Sequence, residues 1–130
     1  MNRERFDRLV AEAVDSLPPE FKQRLENIDV VVQDWPTRHQ LISVGLRSRW
    51  ELLGLYEGIP LTAAGRNHAA ALPDKITIFR KPIEIAYRTE GRVVRGIADT
   101  VRHEIAHHFG ISDARLGQIA RQRRKETNHE

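Results

Sequence analysis

Three residues within five positions carry the strongest chemical signal in the chain. His103, Glu104 and His107 spell H-E-x-x-H inside the segment VRHEIAHHFGISDARL. On an α-helix, residues four apart lie about 40° apart around the axis, so both imidazoles project the same way and can share one metal ion. Zinc takes such a pair readily. Glu104 falls about 60° from His107, beside the metal rather than on it, where its carboxylate can take the proton of a metal-activated water. A catalytic zinc also needs a third protein ligand and one open position. Asp113, six residues beyond His107 and just past Gly110, extends the pattern to H-E-x-x-H-x-x-G-x-x-D. Glycine tolerates positive φ and can turn the chain back toward the histidine face. At this composition the five-residue pattern arises by chance in about 2% of chains, and with the aspartate in roughly 0.1%. The zinc reading therefore outweighs the reading of His103 and Glu104 as ordinary surface residues.

Other residues compete for supporting roles. Glu126, 19 residues after His107, is the rival third ligand, but it sits in the basic run Arg123-Arg124-Lys125. Asp113 is preferred because a ligand held by a turn is better preorganised than one in a fraying tail. His108 points about 100° away from His107 and reads as a packing histidine. Tyr87 and Tyr56 are the candidates for steadying the oxyanion of a hydrolytic transition state.

The elements that must hold these residues follow from periodicity. Phe6, Leu9, Val10, Ala13, Val14 and Leu17 make one apolar helical stripe, ended by Pro18-Pro19. A short second helix is expected from Pro19, with Phe21 and Leu25 inward. Ile28 to Val32 and Ile76 to Phe79 are β-branched or aromatic runs that predict strands, and Lys81-Pro82 stops the second, which favours an edge position or a strand end. Between them a strand is expected near Leu41 to Leu46 and an ordered loop over LLGLYEGIPLTAAG, with Leu55, Tyr56 and Glu57 as an opposing cleft wall. Ile76 to Phe79 is the candidate edge for an extended substrate. From Gly91 the motif helix runs with Val94, Ile97, Ala98, Val101 and Ile105 inward, and Gly110 stops it. Ser112 is the expected cap of a final helix over Ala114 to Lys125.

Composition bounds the rest. A chain of 130 residues fits a single domain spanning 1–130. It contains no cysteine, so thiolate metal sites, disulfides and cysteine nucleophiles are excluded and any metal must sit on His, Asp or Glu. No stretch approaches a membrane span, and the first residues lack a secretory apolar core, so a cytoplasmic protein is expected. The net charge is only +3, with a basic tail over about 121–130. Such a tail is usually a solvated face, so nucleic acid is an improbable partner.

On these residues the chain resembles the small bacterial zincin-like family, described as minimal or possible metallopeptidases. The resemblance runs through FDRLVAEAVDSLP, NIDVVVQDWP, LLGLYEGIPL, LPDKITIFRKPIE and HEIAHHFGISDARL. It also extends to zincins of the snapalysin type, which have aspartate as third ligand. The only methionine is Met1, so the methionine turn of metzincins has no counterpart. The chain also ends 17 residues after Asp113, so a deep substrate wall is not expected. The resemblance implies zinc on His103, His107 and Asp113 with Glu104 as general base. The expected fold is α+β: a single zincin-like domain with a small mixed or antiparallel sheet of about three strands packed on helices, the motif helix forming the cleft floor. The expected activity is that of a zinc-dependent metallopeptidase-like hydrolase acting on a peptide or protein. The alternative is a zinc-binding interaction module of the same shape.

Overall fold

The computed structural model describes residues 1–58 and 74–110. Helix α1 (Arg3–Asp15) opens on Asn2, whose side chain accepts from the Arg5 N–H, and it buries the expected stripe Phe6, Leu9, Val10 and Ala13. Helix α2 (Pro19–Leu25) starts at its proline and buries Phe21. Strand β1 (Ile28–Gln33) follows. Next come α3 (Arg38–Ser43) and the short strand β2 (Gly54–Glu57). Strand β3 (Asp74–Phe79) leads directly into α4 (Arg80–Tyr87), and α5 (Glu90–Phe109) completes the described residues.

Two expectations about the middle of the chain need correcting. The predicted strand near Leu41 to Leu46 is instead α3, because Thr37 and Gln40 form a reciprocal cap. Gln40 N donates to Thr37 Oγ1 at 3.1 Å, while Thr37 N donates to Gln40 Oε1 at 2.8 Å, so two helix-end donors are satisfied. The predicted loop over LLGLYEGIPLTAAG contains β2. Helix α4 was not foreseen, since Pro82 reads as a strand stop; it sits in the helix's first turn, where no intrahelical N–H is required.

The sheet has the order β1-β3-β2 among the described residues. β1 runs parallel to β3 from Ile28↔Asp74 to Gln33↔Phe79, and β2 runs antiparallel to β3 from Gly54↔Ile78 to Glu57↔Lys75. Ile76 to Phe79 is therefore the central strand, not the edge. Its residues are fully or nearly fully buried because both neighbours and both faces cover them. Strand alternation sends Ile76 and Ile78 toward α1 and α5, where they join Phe6, Ile97, Val101 and Ile105. Phe79 turns to the other face and meets Leu41, Leu52 and Leu55. The result is the α+β, single mixed sheet with helices that the pattern implied.

One contact sets the distance between the motif helix and the sheet. A Cβ on Gly54 would lie 2.5 Å from Thr100 Cγ2 and 3.2 Å from the Thr77 carbonyl oxygen. Gly54→Ala is expected to destabilise the protein by about 1–3 kcal/mol, because α5 or β2 must shift to make room. Gly91→Ala, where a Cβ meets nothing within 4 Å, is expected to be neutral or slightly stabilising. Urea unfolding of both variants checks this; equal stabilities would show that the close approach carries no packing constraint.

Candidate metal centre

The last two turns of α5 carry His103, Glu104, His107, His108 and Phe109. Gly110 ends the helix in the left-handed region, φ 71° and ψ 28°, with its N–H on the Ala106 carbonyl. That is the glycine stop the sequence predicted. His103 and His107 are exposed, one turn apart on the same face, and neither imidazole hydrogen-bonds another described residue. Glu104 is half-buried beside them, and its Oε1 accepts the Tyr56 backbone N–H at 2.9 Å. Burial pushes the Glu104 carboxyl above the ordinary glutamate range. The Tyr56 N–H and the adjacent His107 and His103 pull it the other way without cancelling that effect.

The Tyr56 amide is available for a reason of register. Phe79 N donates to the Leu53 carbonyl at 2.9 Å. In an antiparallel pair the main-chain groups alternate, so those of Leu55 and Glu57 face β3 while those of Gly54 and Tyr56 face outward. The outer edge of β2 therefore borders the motif helix. The edge role assigned from sequence to Ile76 to Phe79 belongs to β2.

Tyr56 does more than its sequence candidacy implied. Its hydroxyl donates to Asp74 Oδ2 at 2.6 Å, and its ring stacks on His108, with centroids 3.8 Å apart and planes 13° from parallel. Phe109 packs edge-on to both rings, and the Arg24 guanidinium lies 4.5 Å over Phe109. His108 is thus a packing histidine in this arrangement. Tyr87 packs across α5 at Gly96, seven residues or about 10 Å along the axis from His103. Of the two tyrosines, only Tyr56 lies at the site, and its hydroxyl is committed to Asp74. Neither its backbone donor nor Asp74 has a local motif, so sequence reasoning missed both.

A groove of about 600 Å³ runs from the motif helix over β2, an edge strand among the described residues. Glu104, His107 and His108 form one wall, Gly54, Leu55 and Tyr56 the floor of its middle, and Val44, Leu46 and Leu52 the other wall. The motif helix, Leu55 and Tyr56 thus line one groove, but with the expected roles exchanged: the helix is a wall rather than the floor, Leu55 and Tyr56 lie in the floor, and Glu57 is not part of the lining. Among the described residues no group of three His, Asp or Glu side chains converges to hold a metal ion. Asp113, Glu126, the helix expected over Ala114 to Lys125 and the basic tail lie outside the described residues. The donors that are present have zinc chemistry: two imidazoles on one helix face with a carboxylate beside them, needing one further ligand.

The profile of the family described as zincin-like metallopeptidase matches residues 25–123. The chain belongs to that family. The matched span takes in the sheet, the motif helix and Asp113. No curated protein is similar to the chain at a significant level. No helix among the described residues is long and apolar enough to cross a membrane.

The Tyr56 phenol is held above the usual tyrosine range, first by burial and then by its bond to Asp74. The folded phenol keeps its proton beyond the point where the unfolded chain releases it. Its stabilising contribution is therefore complete below about pH 10 and falls as the pH rises further. Ultraviolet titration should find one late-ionising tyrosine, absent in Tyr56→Phe. An ordinary tyrosine titration of Tyr56 in the parent chain would contradict its part-buried bond to Asp74.

Proposed function

We propose that this member of the family hydrolyses peptide bonds at a zinc ion held by His103, His107 and Asp113, with Glu104 as general base. Zinc in that position supplies a Lewis acid that acidifies water and polarises a peptide carbonyl. The chain's own residues divide the remaining work. The Tyr56 N–H holds Oε1 of Glu104, so the carboxylate stays on the cleft side of α5 with Oε2 left to accept the proton of the attacking water. The same oxygen then delivers that proton to the departing amine. A polypeptide or protein substrate lies extended along the edge of β2, where the main chain of Gly54 and the Tyr56 carbonyl face outward while the Tyr56 N–H stays on Glu104. The observation that carries this reading is the Glu104–Tyr56 bond. It joins the base to the strand that borders the cleft and leaves the second carboxylate oxygen for the water's proton.

Metal analysis and a peptide-library digest test the proposal together. One zinc per chain is expected, lost in His103→Ala and His107→Ala and weakened in Asp113→Ala. Glu104→Gln should keep its zinc and lose about 10²–10⁴-fold in hydrolysis. Full activity in that variant would remove Glu104 from its role. Zinc bound without any cleavage would favour an interaction module instead.

A further inference from the structure

We infer that the loop following α3 is a carboxylate-reading wall, which selects peptides bearing an acidic residue a few positions from the apolar side chain lodged in the groove. The inference rests on the peptidase reading for the position of the substrate, and on separate observations for its charge. Residues 35–50 contain Arg38, Arg47 and Arg49 and no Asp or Glu, so this one stretch holds charge equal to the +3 excess of the whole chain. Its flanking acids differ: Asp34 is taken by Arg80 at 2.8 Å and lies 3.8 Å from Arg3, and Glu51 is exposed. Among the described residues no carboxylate pairs with Arg38, Arg47 or Arg49.

Arg49 is also preorganised. Its guanidinium lies 4.0 Å over the Trp35 ring and 5.4 Å from that of Trp50, and the two indoles meet edge to face at 4.7 Å. A guanidinium held over the Trp35 ring by cation–π attraction keeps N–H donors for a planar anion such as a carboxylate. Trp50 remains 49% exposed and Ile42 65% exposed, so apolar surface accompanies the charge. The same loop walls the groove through Val44, Leu46 and Leu52. Arg49 stands three residues from both Leu46 and Leu52, a backbone reach of about 10 Å, or about three residues of an extended peptide. Arg49 does not line the groove itself, but the chain constraint keeps its backbone within that distance of Leu46 and Leu52, which do, and the residues flanking a lodged apolar side chain are the ones assigned to it. Nucleic acid would also suit an aromatic and basic surface. Continuity with the apolar groove favours a polypeptide.

The test is a binding measurement on the full chain carrying Glu104→Gln. Two fluorescent peptides share one leucine and differ in having aspartates or asparagines two to four positions away on either side of it. At low salt the aspartate peptide should bind about five- to tenfold more tightly, with the advantage shrinking as sodium chloride is added. Arg49→Gln should remove that advantage and leave the asparagine peptide's affinity unchanged. Arg49→Lys should restore only part of it, and Arg47→Gln should reduce it. A preference that survives Arg49→Gln, or tighter binding of a single-stranded oligonucleotide at the same residues, would overturn the inference. The parent chain loaded with zinc separates the two claims. Cleavage with no preference for acid leaves the peptidase reading standing without this wall, whereas acid-dependent binding with no cleavage does the reverse.

Discussion

Helix α5 and the outward side of β2 approach each other closely enough for a carboxylate on one to hold a backbone amide on the other. The bond from Tyr56 N to Glu104 Oε1 answers two needs at once. An edge strand leaves outward amides without partners, and a half-buried carboxylate needs a donor. The approach depends on small groups. Gly54 has no Cβ to strike Thr100, and Thr100 lies one helical turn before Glu104. Thr100 spends its hydroxyl on the Gly96 carbonyl at 2.8 Å, so it brings no unpaired polar atom into the contact.

A second set of contacts ties the end of the motif helix to the sheet. Asp74, the first residue of β3, receives the Tyr56 hydroxyl, and the Tyr56 ring covers His108. The aromatic packing continues through Phe109 to Arg24 on α2. The C-terminal turn of α5 is therefore braced by three elements before the helix stops at Gly110. A bracing of that kind steadies the direction of His107, which stands between Glu104 and His108 in the chain.

The groove joins unlike surfaces. Its α5 side carries ionisable groups, its far side is aliphatic, and β2 contributes backbone between them. Phe79 connects the two sides of the molecule: from the central strand it supports Leu41, Leu52 and Leu55, and so holds the aliphatic wall in place. Family membership supplies the class, zincin-like metallopeptidase.

Much of the scaffold was legible in the chain because the signals are local. The apolar stripe of α1, the proline start of α2, the β-branched runs of β1 and β3, and the body of α5 each lie within one window. Failures came where a local signal was weak or outvoted. The apolar residues from Leu41 to Leu46 suggested a strand, though Thr37-x-x-Gln40 is a capping box in plain view. Pro82 suggested a break and hid α4. Strand β2 is only four residues long, with a glycine at its start, and nothing in its composition separates it from a loop.

The sequence by itself determined that His103, Glu104 and His107 lie close around one helical surface, because helical periodicity is a property of the backbone and needs no partner. It determined the helix stop at Gly110 for the same reason. Only the tertiary structure decided which strand borders that surface. Strand order depends on pairings between residues far apart in the chain, here Ile28 with Asp74 and Gly54 with Ile78. The outward amide of Tyr56 follows from register across that pairing, and a backbone donor leaves no trace in residue type.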